Sequence, residues 1–326
     1  MKTVRLFVLG CLALLVAPLA LAQNQHAFIW NPGTGMTDLG SLGGNSTAIG
    51  INDSGEVCGY SYLADNVNYH AFTWTAAGGM VDIGTDRGLS TRAWAINSSG
   101  DLAGDNDTLL PFYWSPSGGF VLIGSQSGYN FAFGINDQSE VTGQFYVPRR
   151  SVQAFLWSPT LGFHTIGDLS GGQSVGNAIN NRQHITGTAN LSSGQYVAFL
   201  VKKIGKMVQI AQVPGINYTA GEAINDRDEV VGVAIDTSNQ YTGFYWSQAT
   251  GMVLLQTLGG THSAGFGINS SGIATGDAEN SAGALHAVTW ANSGATPVDL
   301  GTLGGTNSIA RAINSSGQVV GVSDVP

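Results

Sequence analysis

The chain has 326 residues, with 12 Lys and Arg against 21 Asp and Glu and a formal net charge of −9. That balance argues against nucleic acid and anionic membrane surfaces as partners, since both demand clustered Lys and Arg. Only 10% of residues are charged and 47 are Gly, a composition that suits buried β-strands joined by tight turns better than helices, whose interiors Gly weakens.

Residues 1–22 read as a secretory signal peptide. Lys2 and Arg5 precede an apolar run from Leu6 to Leu21, and Ala20-Leu21-Ala22 supplies a small-x-small cleavage site before Gln23. A lipoprotein reading of Cys11 fits less well, because the apolar run continues past it. The remaining residues, 23–326, read as one domain with 10 cationic and 21 anionic side chains, a net charge of about −11. Cys58 is then the only cysteine, so stability must come from the core rather than from a disulfide. No later apolar run is long enough to span a bilayer.

Seven Ile-Asn phrases punctuate this domain, with their Asn at 52, 97, 136, 180, 225, 269 and 314 and spacings of 45, 39, 44, 45, 44 and 45 residues. A sustained period in this range marks a repeat architecture. Each unit holds two hairpins. The first runs Ser46–Asn52 and Glu56–Tyr60, the second His70–Trp74 and Met80–Gly84. Four strands in about 44 residues match one β-propeller blade.

The domain starts with an aromatic hairpin (26–40) and ends with an Ile-Asn hairpin (307–322), with six complete units between them. The sequence therefore predicts an all-β, seven-bladed propeller, closed by N-terminal strands pairing with C-terminal strands in one blade. Closure leaves no long exposed sheet edge. A β-solenoid is the alternative, but its rungs are usually shorter and it needs caps.

Within the first turn, the Asn side chain suits a bond to its own backbone two residues on, and Gly three residues later accepts positive φ. Gly55, Gly100, Gly272 and Gly317 fill that slot; Ser139, Gln183 and Asp228 replace it, which leaves those three turns free to differ. The aromatic phrase recurs as Phe28-Ile-Trp30, Phe72-Thr-Trp74, Phe112-Tyr-Trp114, Phe155-Leu-Trp157, Phe244-Tyr-Trp246 and Val288-Thr-Trp290, while Phe199-Leu200-Val201 has lost its Trp. Spaced aromatics of this kind are expected between blades.

His26-Ala-Phe, His70-Ala-Phe and His286-Ala-Val, with Asp299–Gly305 (DLGTLGG) and Ala312–Gly321 (AINSSGQVVG), resemble the HAF-repeat family of extracellular proteins. The resemblance covers essentially all of 23–326. It implies a secreted bacterial β-repeat protein and no shared activity or catalytic residues. Some relatives continue into a Val-Pro-Glu-Pro sorting tail, which Asp324-Val325-Pro326 does not show.

The Ile-Asn strand is expected to be innermost, because its residues two and four before the Asn are all Gly or Ala. The residue three before the Asn varies freely: Ile49, Trp94, Phe133, Asn177, Glu222, Phe266 and Arg311. Seven such positions around one axis form a ring that either binds a ligand or plugs the channel. A second ring lies seven residues before the Asn, at Asn45, Ser90, Tyr129, Gln173, Tyr218, His262 and Asn307. Its rings and amides suit a neutral polar ligand such as a glycan; ordinary capping of the strand start is the simpler reading of them. From these two rings Trp94, Phe133, Asn177, Glu222, Phe266, Arg311, Tyr129, Tyr218 and His262 are the candidate ligand-binding residues.

Other chemistry has little support. Gly172-Gln-Ser-Val-Gly176 matches a nucleophile elbow, which has meaning only on a strand-to-helix turn; here Ser174 is one copy of a repeated small polar position with Ser46, Ser263 and Ser308. The six His are scattered, without a pair at ligand spacing. Three Asn-Asp pairs lack the alternating carboxylates that calcium needs. Among acids, the inner strands offer only Glu222, while Asp105, Asp107, Asp236 and Glu279 read as lying in variable connections.

The expected function is a secreted or periplasmic, monomeric module that binds or scaffolds without catalysis, with a glycan or an extracellular protein as ligand and no metal or cofactor. The alternatives are a polysaccharide-processing propeller enzyme and a purely structural surface protein.

Overall fold

The computed structural model describes residues 24–124, 130–147, 151–291 and 296–326. Residues 1–22, expected to be a signal peptide, and Tyr129 lie outside them. Twenty-eight strands, β1 to β28 in chain order, form seven four-stranded antiparallel sheets arranged as the blades of a propeller. Among the described residues there is no α-helix, hence none long and apolar enough to cross a membrane.

One blade shows the plan. β3 (Gly43–Ile51), β4 (Val57–Leu63), β5 (Tyr69–Thr75) and β6 (Gly79–Asp82) pair in sequence order from the axis outward. The innermost strands of the others are β7 (Thr91–Ile96), β11 (Phe131–Ile135), β15 (Ser170–Ile179), β19 (Ile216–Ile224), β23 (Gly259–Ile268) and β27 (Ser308–Ile313). The closing blade combines both chain ends in the order β2 (Gly35–Asp38), β1 (Gln25–Asn31), β28 (Val319–Asp324), β27. Phe28 sits opposite Gly321 and Trp30 opposite Val319. The end hairpins thus close the ring as the repeat count requires.

The aromatic phrase forms the core between blades. Phe28, Phe72, Phe112, Phe155, Phe199 and Phe244 are all fully buried. Each such ring contributes roughly 2–3 kcal/mol by leaving water. Trp74 packs against a cluster that includes Ala27, Ile29 and Leu39 of the preceding blade, and Trp246 against one that includes Leu200 and Ile210, again of the preceding blade. The Gly or Ala two residues before each Asn allows close approach between blades rather than at the axis: a Cβ on Gly134 or Gly267 would press on the Cα of Ala178 or Ala312 next door.

A β-bulge recurs in all seven inner strands at the residue three before the Asn. The ladder skips between Ala48 and Gly50, Ala93 and Ala95, Ala132 and Gly134, Gly176 and Ala178, Gly221 and Ala223, Gly265 and Gly267, and Ala310 and Ala312. A bulge inserts one unpaired residue and re-aims its side chain. The variable residue is therefore not simply on the opposite pleat; it is the extra residue of the bulge.

The turn after the Asn is the same in every blade. The Asn N–H donates to the carbonyl four residues on, and the N–H three residues on donates back to the Asn carbonyl, all at 3.0–3.1 Å. Ser139, Gln183 and Asp228 adopt φ of 57°, 63° and 63°, the left-handed conformation of the four glycines. The three turns left free to differ do not, because the hydrogen-bond pattern dictates the backbone whatever residue fills the slot.

Candidate functional site

The channel has two mouths. Inner strands run from one, where the second strand ends and the third begins, to the other, where the Ile-Asn turns cluster.

At the Asn mouth each side-chain amide leaves its own blade. Asn52 Nδ2 donates to the backbone carbonyl of Asn97, Asn97 to Asn136, Asn136 to Asn180, Asn180 to Asn225, Asn225 to Asn269, Asn269 to Asn314, and Asn314 back to Asn52, at 2.9–3.2 Å. The same Asn Oδ1 accepts the backbone N–H four residues on in all seven copies, at 2.9–3.1 Å. The Asn is thus both the expected turn device and a clasp between blades. A cavity of about 220 Å³ lies inside this ring, lined by the Ile, the Asn and the next residue of each blade. Its rim acids are tied to their neighbours: Asp137 Oδ1 accepts from the Ser98 N–H and Asp53 Oδ1 from the Ser315 N–H.

A second clasp explains the apparent elbow serine. Ser174 is buried; its hydroxyl accepts from the Ala154 N–H of the preceding blade at 2.9 Å and donates to the Gly167 carbonyl at 2.6 Å. Ser46, Thr91, Ser263 and Ser308 do the same. Where the preceding blade offers Pro111, which has no N–H, Asn130 stands instead. The repeated His have a local role too. His26, His70 and His286 pair with Asp38, Asp82 and Asp299 of the adjoining outer strand at 2.7–2.9 Å. Among the described residues, no group of three or more His, Cys, Asp or Glu could hold a metal ion.

The bulge residues line the channel. Ile49, Trp94, Phe133, Glu222, Phe266 and Arg311 all keep part of their surface accessible, and Asn177 is 8% exposed. Neighbours meet around the axis. Trp94 and Phe133 pack edge to face at 6.1 Å, the Arg311 guanidinium lies over the Phe266 ring at 4.9 Å, and Asn177 Nδ2 reaches Glu222 Oε2 at 3.5 Å and the Gly221 carbonyl at 2.9 Å. The predicted ring exists, split into an aromatic sector and a polar one.

The polar sector gathers more than the sequence showed. Burial pushes the Glu222 carboxyl up to about 7, with Arg311 pulling it back. Glu222 is half-buried and keeps part of its surface accessible. Asp277, on β24 (Ala274–Asn280), is likewise pushed up to about 7 by burial, opposed by Arg311 and His262. The Tyr218 hydroxyl lies against Thr188, but no hydrogen bond of ordinary geometry joins them. Asn177 Oδ1, Thr188 Oγ1 and the Tyr218 hydroxyl are all buried without a hydrogen-bond partner in the protein. At the rim, Glu279 is held down to about 2 by hydrogen bonds from Thr261 and His262.

In the aromatic sector, Arg92 lies 5.4 Å over both Tyr69 and Trp94, and Tyr60, Tyr62 and Tyr69 form an edge-to-face cluster with centroids 5.5–6.2 Å apart. Asp105 is wholly buried here, bonded by Arg92 at 2.7 Å and by the Trp94 indole N–H. Burial raises its carboxyl and Arg92 pulls it back. This corrects the sequence reading: Asp105 and Glu279 lie in the second strands of their blades, β8 (Leu102–Asn106) and β24, as does Asp236 in β20 (Val230–Asp236).

The second predicted ring divides. Asn45, Ser90 and Asn307 cap the preceding blade, accepting from the N–H groups of Gln25, Tyr69 and Leu285. Gln173, Tyr218 and His262 instead meet rings: Gln173 Oε1 accepts from the Tyr196 hydroxyl at 2.7 Å, Tyr218 packs by Tyr196 and His262 by Tyr241. With Tyr62 and Tyr69 these rings surround the mouth opposite the Asn ring, here called the tyrosine mouth. Sequence reasoning missed Thr188 and Asp277 and misplaced Asp105. All three follow the Gly of the second strand, a variable slot after a repeated Gly.

No protein-family model and no curated protein matches the chain. Solved structures do. Virginiamycin B lyase from Staphylococcus aureus superposes with TM-score 0.56 at 8% identity, over 93% of this chain and all of that one. TolB from Acinetobacter baumannii gives 0.55 at 11% identity, over 83% of this chain and 64% of that one. A puromycin hydrolase gives 0.57 at 13% identity, over 86% and 50%. At these identities the likeness shows the propeller fold alone.

Proposed function

We propose that this chain is a non-catalytic binding module whose tyrosine mouth takes a glycan or a similar polyhydroxylated ligand. One observation carries the reading: Asn177 Oδ1, Thr188 Oγ1 and the Tyr218 hydroxyl are buried without protein partners, beside half-buried aromatics that keep part of their surface accessible. A buried polar group left unpaired costs about 1–3 kcal/mol. A ligand rich in hydroxyls supplies those bonds, while Tyr196 and Tyr241 offer aromatic surface for sugar rings. The same reading makes it a HAF-repeat protein acting as a monomer outside the cytoplasm, on the strength of the segment 1–22 and the repeated His–Asp pairs.

A glycan array followed by calorimetry tests this. Tyr218→Phe and Tyr241→Ala should weaken binding at least tenfold with little change in melting temperature. An array without a bound glycan, or variants that bind unchanged, overturns the reading.

A second reading rests on Glu222 and Asp277. Two carboxyls raised into the neutral range around one Arg could exchange protons with a bound saccharide, as a polysaccharide-processing enzyme requires. Glu222→Gln separates the two: an enzyme loses turnover and keeps its ligand, whereas a binding module shows no turnover in either form.

A further inference from the structure

A groove between the fourth and fifth blades shares no lining residue with the cavity at the Asn mouth. It encloses about 440 Å³. Its floor is Leu200, Ile210 and Trp246, and Val208 forms one wall. Leu200 and Ile210 are buried, whereas Val208 is 63% exposed. Lys202, Lys203 and Lys206 stand along the lip.

The lysines are unusual in this chain. Apart from Lys2 they are its only lysines, and all three occupy the turn between β17 (Tyr196–Val201) and β18 (Met207–Gln209). The equivalent turns Asn31–Gly35, Thr75–Gly79, Ser115–Gly119, Ser158–Gly162 and Ser247–Gly251 carry no charged residue. Those five end on a glycine with φ between 67° and 82°; here the left-handed residue is Gly205, one place earlier, which leaves the next position open to Lys206. Charged residues do guard sheet edges against pairing, yet the outer strands β2, β6, β10 (Gly119–Leu122), β22 (Gly251–Leu254) and β26 (Val298–Asp299) carry no lysine. Lys202 is engaged by Asp228 at 2.6 Å. Lys203 and Lys206 are exposed at the lip.

We propose that this groove binds a single-tailed amphipathic anion, an apolar chain ending in a carboxylate or phosphate. The chain lies on Leu200, Ile210, Val208 and Trp246, and the head group meets Lys203 and Lys206. The volume falls in the range of small-molecule sites, which are mostly apolar with a few polar groups fixing orientation. Two cationic side chains on a domain of strongly negative charge select for the anionic end, since the rest of the surface repels it. The apolar floor rejects small hydrophilic anions.

Trp246 provides the readout. The full-length protein is titrated with dodecanoate, dodecyl phosphate, dodecanol and acetate, followed by tryptophan fluorescence and calorimetry. Dodecanoate or dodecyl phosphate should bind below millimolar concentration, and the tighter of the two identifies the head group. Dodecanol and acetate should bind at least tenfold more weakly. The double variant Lys203→Gln/Lys206→Gln should weaken anion binding at least tenfold without altering the melting temperature, and Trp246→Phe should remove the fluorescence change while calorimetry still reports binding. Equal affinity for dodecanol or an unchanged double variant overturns the proposal. The lysines would then serve only to guard the edge strand.

Discussion

The side-chain amide of Asn314 donates to the backbone carbonyl of Asn52 at 3.1 Å, across 262 residues of sequence. This one bond completes a cycle that the other six Asn build between successive blades. It joins the last inner strand to the first, so it reports ring closure directly.

Replacing Asn314 by Ala removes that clasp together with the turn bond to the Gln318 N–H. Loss of buried, paired groups should cost about 2–4 kcal/mol. Asn314→Asp keeps the turn acceptor but sets a carboxylate against the Asn52 carbonyl, so it should rescue little. Urea unfolding of both variants checks this; a cost below about 0.5 kcal/mol for Asn314→Ala would mean the ring closes by strand pairing alone.

Two nearby glycines should behave differently. Gly317 has φ of 81°, and a methyl added there would meet only the ring of Pro32, so Gly317→Ala should cost about 1 kcal/mol of backbone strain. At Gly321 a methyl would collide with the backbone carbonyl oxygen of Ile309, forced close by the bulge in β27. Gly321→Ala should therefore fail to fold or lose several kcal/mol, as read by circular dichroism and thermal unfolding.

Ser174→Ala tests the second clasp. Its hydroxyl makes two bonds across a blade interface, both to the preceding blade. The variant should lose about 1–3 kcal/mol of stability. A nucleophile would show the opposite pattern, with stability kept and hydrolysis of ester substrates lost.

The two raised carboxyls predict a pH dependence. Glu222 and Asp277 sit near 7 in the folded protein, Arg311 facing both and His262 facing Asp277; an unfolded carboxyl titrates near 4. Between those values the folded state holds protons that the unfolded state has released, so stability falls as pH rises through the window. Each group adds a slope approaching 1.4 kcal/mol per pH unit, about one proton's worth. Glu222→Gln should flatten the decline by roughly half. Glu279, held near 2, acts in a separate range: its contribution is present above the ordinary carboxyl range and lost as pH falls toward 2.

Tyr218→Phe removes a buried hydroxyl that has no protein partner. Deleting such a group should leave stability unchanged or raise it by up to about 1 kcal/mol. A measured loss beyond that would mean the hydroxyl is bonded in solution, to Thr188 or to water.

Much of the architecture was legible in the chain. The Ile-Asn period, the aromatic phrase and the split end hairpins predicted seven blades and their closure, because a repeat writes the same burial pattern each time it folds. The inner strand was legible through its small residues. The variable slot before each Asn marked the channel lining, since only side chains freed from packing between blades are free to differ.

What the sequence could not show was which way those side chains turn and what they meet. The bulge that aims Trp94, Glu222 and Arg311 at the axis leaves no residue signature beyond the Gly it crowds. The cycle of Asn clasps depends on backbone carbonyls that only adjacent blades bring within reach. Asp277 and Thr188 come from second strands, tens of residues from Arg311 and Tyr218, so their part in the polar sector was decided by tertiary packing. Period and pattern are local properties and survive in one dimension. A site made of single residues from different blades exists only once the ring has closed.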